Sequence, residues 1–378
     1  MRQYCSLFIF MSILILCLSI YTILFMDTIL FSLIFFITIF ISLYKNSNSV
    51  DDSAISREDT TGLKGIAFLM VFFSHITYFL FPYSNFLFPL SMFAGVGGNL
   101  FLFLSGYGLV KSSQDKSPML FYKKRLSKLY IPLFITTIFI TVLDLISGIP
   151  FSFTRIFPGL TAIVPSADIY TDFNSPLWFL TLLILFYVVF PFLFNKDKPI
   201  RSSIFFLLFG GVIPGYITQF LPLSSGVIHL YAVHAYAFPL GVILAFISMR
   251  IDLKKKLFKI PKNIRIFLWC IVVTFFIYTS FHAAINTPYE QLVSLLIMFL
   301  FLCTFLFLPM RSRFISLLGI YSYELYLLHW PLLYRHDILY RFFPHWLATY
   351  LYIFVLLGMG FIIARVSSKI LERKIPST

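Results

Sequence analysis

The chain is 378 residues long, 60% hydrophobic and only 12% charged, with a formal net charge of +14 at pH 7. A water-soluble domain cannot cover that much apolar surface with so few polar side chains, so the chain reads as an integral membrane protein. Its basic excess then reflects topology, since Lys and Arg collect in cytoplasmic loops, and not affinity for nucleic acid.

The first apolar run extends from about Cys5 to Tyr44, broken by Asp27. It is too long for a cleavable signal peptide and has no small-residue cleavage site. It predicts an N-terminal hairpin over 1–44, with spans 6–25 and 28–44 turning at Asp27. The hydrophilic stretch "KNSNSVDDSAISREDTTG", Lys45 to Gly62, reads as a cytoplasmic linker. A membrane domain over 63–372 follows. Its expected spans are 63–81, 93–111, 129–147, 176–194, 202–219, 229–249, 264–281, 291–309, 315–334 and 346–366. The fold class is therefore an all-α polytopic transmembrane bundle of about 12 spans. With both termini cytoplasmic, all but Arg155, Arg335 and Arg341 of the 29 Lys and Arg fall on the inner side. The clusters Lys123–Lys128 and Arg250–Lys259 then lie between consecutive spans. Cys5, Cys17, Cys270 and Cys303 have neither metal-ligand nor redox spacing and read as small buried hydrophobes; no metal is implied.

In chain order, "LKGIAFLMVFFSHI" carries Lys64 and His75. Eleven residues are close to three helical turns, which puts both side chains on one face about 16 Å apart. Lys64 is either a snorkelling membrane-edge lysine or a binding group. His75 lies at membrane depth, where an ionisable group is costly and usually functional. In "GVGGNLFLFLSGYGL", Gly95, Asn99, Leu102 and Gly106 form a small and polar stripe, suited either to close helix packing or to lining a cavity with Asn99, Ser105 and Tyr107. Arg125 and Lys128 in "FYKKRLSKLYIP" share a helix face and serve topology, anionic lipid or a phosphate. Trp178 and Tyr187 belong to "SPLWFLTLLILFYVVFP", with Trp178 placed as an interfacial anchor or as cavity lining. "LGIYSYELYLLHWPLL" puts Ser322, Tyr326 and His329 on one stripe and adds Glu324. His229, His234 and His282 lie near outer span ends, where water reaches them.

The order of these five segments, over about Arg57 to Glu372, resembles the membrane-bound acyltransferase 3 family, whose members O-acylate surface polysaccharides and lipids. The resemblance implies transfer of an acyl group, most simply acetyl, from cytoplasmic acyl-CoA to a hydroxyl of a bacterial cell-envelope glycan or glycolipid. It implies no permanently bound cofactor and a location in the cytoplasmic membrane. His75 matches the family's essential histidine, and Lys64 stands where an arginine is usual, keeping charge without the bidentate fork. Arg125 matches the first of the family's donor-binding basic pair, with Lys128 in place of the second. Ser105, Gly106 and Tyr107 match its Ser-Gly-aromatic segment, and Tyr326 and His329 its late Tyr-Leu-x-His. Lys64, Arg125 and Lys128 are thus expected to meet the CoA phosphates, with His75 acting as general base or transient acyl carrier. His329 or Tyr326 would orient it or hold the oxyanion. The rival from another class is a transporter that moves a glycan or small solute without chemistry, which also uses deep polar groups.

Overall fold

A computed structural model describes residues 26–43, 55–81, 83–112, 117–168, 171–220, 223–252, 290–307 and 311–374, together with scattered positions between 259 and 278. The expected span 6–25, most of 264–281 and the start of the linker lie outside the described residues. Among those described, the regular secondary structure is helical save for one isolated antiparallel bridge between Leu43 and Ser312. Six helical stretches are long and apolar enough to cross a membrane: Arg57–Leu80, Phe88–Ser112, Pro118–Ile146, Ser175–Leu193, Ser225–Arg250 and His345–Glu372. Shorter apolar helices accompany them, including Met26–Ile41 and Pro199–Gly215.

The described residues form two compact units. The first draws on Met1–Phe101, Ile247–Ser322 and Leu339–Tyr352. It contains α1 (Met26–Ile41), α2 (Arg57–Leu80), the start of α3 (Phe93–Ser112), α10 (Glu290–Phe307), α11 (Arg313–Ile320) and α13 (Leu339–Phe342). It also holds the first turns of α14 (His345–Lys374). α2 begins at Arg57, six residues ahead of the expected 63, because Ser56 and Asp59 form a capping box there. Arg311 pairs with both Glu58 and Asp59, the latter at 3.2 Å. Further along, a Cβ on Gly65 or Gly319 would collide with the facing backbone, so α2 and α11 meet main chain to main chain. α1 joins through buried Phe31, whose ring meets Phe73 at 5.3 Å and Phe86 at 5.8 Å. Asp27 lies in the first turn of α1, 3.5 Å from His345.

The second unit draws on Leu102–Phe246, Tyr323–Ile338 and Ile353–Thr378. Its long member is α4 (Pro118–Ile146), which starts eleven residues before the expected 129. Ser117 caps it by accepting from the Leu120 amide at 3.3 Å, and Pro118 sits where a missing N–H costs nothing. Lys123–Lys128 therefore lie on the helix and not in a connecting loop. α5 (Phe153–Thr161), α6 (Trp178–Leu193) and α7 (Pro199–Gly215) follow. The expected span 229–249 is split into α8 (Ser225–His234) and α9 (Ala237–Arg250). Pro239 lacks the N–H that would have bonded the Ala235 carbonyl, and α9 restarts with that proline in its first turn. The expected span 315–334 likewise divides into α11 and α12 (Ser322–Tyr334).

Phenylalanines build this unit's core: Phe186 stacks on Phe238 at 4.5 Å, and Phe206 lies 5.6 Å from Phe190 and 5.9 Å from Phe238. Polar contacts between its segments are mostly one-sided, with a hydroxyl or amide donating to a backbone carbonyl. Tyr122 donates to Val188 (2.5 Å), Tyr130 to Thr161 (2.8 Å), Thr137 to Gly159 (2.8 Å), Thr181 to Ala162 (2.5 Å) and Tyr323 to Leu129 (2.7 Å). Of the cysteines, Cys303 is half-buried and Cys270 exposed, so Cys270 is not the buried hydrophobe expected.

Candidate functional site

Lys64 and His75 share the unbroken helix α2, as the eleven-residue spacing requires. Ala67 to Ser74 between them are buried, while both ionisable residues are half-buried. The end of α2 that carries His75 is tied down by one backbone carbonyl. Ser91 accepts hydrogen bonds from the hydroxyls of Ser74 and Tyr78, the latter at 2.7 Å. The His75 ring lies 6.1 Å from the Tyr78 ring. Asn99, in the same unit, is fully buried and donates to Ser294 on α10 at 2.7 Å. That bond makes Asn99 a strut between helices. Ser322 is buried at the start of α12.

The other expected site residues belong to the second unit and fall into two groups. Around the N-terminal half of α4, Arg125 donates to Ser112 at 2.6 Å. Buried Tyr187 hydrogen-bonds Ser105 and lies within electrostatic reach of Arg125. Lys128 is exposed one turn along from Arg125. Tyr107 is buried, with Lys111 5.9 Å from its ring centre. Gly106 has a plainer role: a Cβ there would collide with the Phe238 carbonyl, and one on Gly241 with that of Phe103. Of the two readings of the small stripe, helix packing accounts for Gly106, at the contact of α3 with α9.

The second group lies where α6, α8 and α12 come together. His329 is fully buried, and its Nδ1 is 2.7 Å from the Tyr326 carbonyl oxygen. A carbonyl only accepts, so Nδ1 carries the proton and a neutral ring presents Nε2 as its acceptor. The Tyr326 hydroxyl donates to the Pro176 carbonyl, and its ring is 5.5 Å from Phe179 and 5.5 Å from His329. Asn174 donates to Leu327 at 2.9 Å, fixing α12 against the turn before α6. Glu324 is half-buried near the start of α12. Trp178 stacks on His234 at 5.1 Å and 29°. His234 was expected where water reaches, yet it is 2% exposed. Its signal was there to read, since Ala, Tyr and Phe flank it in a segment without charge.

Two arginines placed on the outer side by the sequence converge with a buried carboxylate. Asp144, near the C-terminal end of α4, accepts from Arg335 Nε at 3.1 Å, lies 3.4 Å from Arg155 and is 2.8 Å from His336 Nε2. Arg335 also donates to the Phe173 carbonyl and lies 5.0 Å from the Phe173 ring. No group of three or more metal-ligating side chains occurs among the described residues.

Long apolar helices that keep buried or half-buried histidines, with a basic end on one of them, mark a membrane protein. The family model of the acyltransferase 3 domain, described as an acyltransferase domain, matches residues 58–367. The chain belongs to that family and is a membrane acyltransferase. No curated protein and no solved structure matches it.

Proposed function

We propose that the protein moves an acyl group, most simply acetyl, from cytoplasmic acyl-CoA to a hydroxyl of a bacterial cell-envelope polysaccharide or glycolipid. Both termini are cytoplasmic in this reading, and the enzyme sits in the cytoplasmic membrane. Arg125 and Lys128 meet the phosphates of CoA as charge-assisted contacts, and Lys64 adds a further cation at the same membrane face. His75 takes the acceptor proton as the hydroxyl oxygen attacks the thioester carbonyl; the C–S bond breaks and the proton passes to the departing thiolate. In the covalent variant, His75 carries the acyl group between two such steps. Tyr326 and His329 are positioning residues in the second unit, their rings locked by backbone acceptors.

What supports this reading most is the half-buried histidine that follows the buried run Ala67–Ser74, eleven residues from a lysine, in a chain that belongs to an acyltransferase family. The test is purified protein with acetyl-CoA, following thiol release, together with mass spectrometry of envelope glycans from cells with and without the protein. His75→Gln keeps size and hydrogen bonding but cannot accept the proton, and the acylation rate should fall about 10²- to 10⁴-fold with insertion preserved. A His75→Gln protein acylating at the wild-type rate removes His75 from the chemistry.

A further inference from the structure

At the far end of α4 from Arg125, charge is gathered that the proposed donor chemistry does not use. Arg125 and Asp144 are nineteen residues apart on one helix, or about 28 Å at 1.5 Å per residue. That is close to the roughly 30 Å of a bilayer's apolar core. The donor-side cations and the Asp144 cluster therefore belong to opposite membrane faces.

The cluster has more donors than acceptors. Two guanidinium groups and an imidazole converge on the single carboxylate of Asp144. One carboxylate balances one arginine, so Asp144 alone does not balance both. Arg335 has a side chain 9% exposed, and its Nη2 is enclosed without a hydrogen-bond partner. Its Nε is taken by Asp144 and its Nη1 by the Phe173 carbonyl. An enclosed cationic donor left unpaired is costly, and a bound anion would relieve that cost. Arg155, a quarter exposed, supplies a second fork at the rim. Asp172 beside them meets Arg335 through its backbone carbonyl, at 3.5 Å, and the charge acting on its carboxyl is that of Asp168.

We infer that Asp144, Arg155, Arg335 and His336 form the docking site for an anionic group, carboxylate or phosphate, carried by the acceptor. This rests on the acceptor chemistry proposed above. Asp144 holds the two forks in place, and Arg155 and Arg335 offer the planar paired donors that suit either anion. The acceptor is then an acidic glycan or a phosphate-bearing envelope polymer, approaching from the face opposite the donor.

Full-length protein in detergent, titrated by thermophoresis with p-nitrophenyl glucuronide, glycerol 1-phosphate and the neutral p-nitrophenyl glucoside, tests this. One or both anions should bind, the glucoside should not, and the anion that binds tells carboxylate from phosphate. Arg155→Gln should weaken anion binding about 10- to 100-fold, the loss typical of a charged hydrogen bond. Arg335→Lys, which keeps the charge but loses the fork, gives a second reading should Arg155→Gln fail to fold. Acetyl-CoA binding is measured in the same preparation. If it is absent while the anions bind, the donor assignment falls and the anion site stands. Anions binding no better than the glucoside, or equally well to a folded variant, overturn the site.

Discussion

Gly97→Ala tests how tightly the helix bearing Lys64 and His75 is held. Gly97 on α3 faces α2, and a Cβ there would stand 2.6 Å from the Ala67 carbonyl oxygen, 2.9 Å from Val71 Cγ2 and 3.2 Å from Met70 Cβ. Ordinary contact begins near 3.4 Å, so the backbone oxygen is about 0.8 Å too close. A carbonyl cannot rotate away, and a valine in a helix is largely confined to one rotamer. The two helices must therefore part. Such overpacking costs about 1–3 kcal/mol. Gly108 on the same helix has nothing within 4 Å of the added methyl, and Gly108→Ala should only collect the helix-propensity gain of up to about 1 kcal/mol. Both variants share that gain, so the difference between them isolates the clash at about 1–3 kcal/mol. Thermal unfolding of the two proteins in detergent measures it. Activity should follow, since Ala67 and Val71 lie one to two turns before His75 and a misplacement near 1 Å can cost about 10²-fold in rate. Equal melting temperatures and equal rates would refute the reasoning.

Arg125→Ala and Lys128→Ala should raise the KM for acetyl-CoA more than they lower kcat, because distant phosphate contacts act as uniform binding. The effect should shrink at high salt, where exposed charges are screened; normal donor binding in both would leave the cluster a purely topological one. A cysteine introduced at Lys123 should be shielded from an impermeant thiol reagent in intact cells, while one at Asp168 should be labelled; the reverse pattern would invert the proposed orientation. His329→Asn keeps a donor near the Tyr326 carbonyl and should melt close to wild type. His329→Gln, which loses that bond, should be about 1 kcal/mol less stable. If the two melt alike, the Nδ1 contact is not what holds the ring.

Much of the first unit was legible in sequence because its signals are local. The Lys64–His75 spacing needs only helical geometry, and it survives intact on α2. The early start of α2 was written in Ser56 and Asp59, and that of α4 in Ser117 and Pro118, but long polar or basic stretches suggested loops in both places. The break at Pro239 could be anticipated from the proline. The one between α11 and α12, at Tyr321, has no proline to mark it. Ser294 lies 195 residues from Asn99, Arg335 191 from Asp144 and Trp178 56 from His234 along the chain. Periodicity carries no information over such separations, so neither the Asn99–Ser294 bond nor the Asp144–Arg335 pair can be read from it.

The tyrosines and threonines of the second unit make their bonds to main-chain oxygen, and this shapes how the protein can drift. Val188, Thr161 and Leu129 each offer a carbonyl that any side chain at that position would still provide. Paired substitutions across these contacts have nothing to compensate for, so covariation between facing positions would pass over them. Mutational sensitivity is borne by the donors alone. A scan of the unit should find Tyr122, Tyr130 and Tyr323 intolerant of phenylalanine, while the residues they bind accept exchange so long as packing allows.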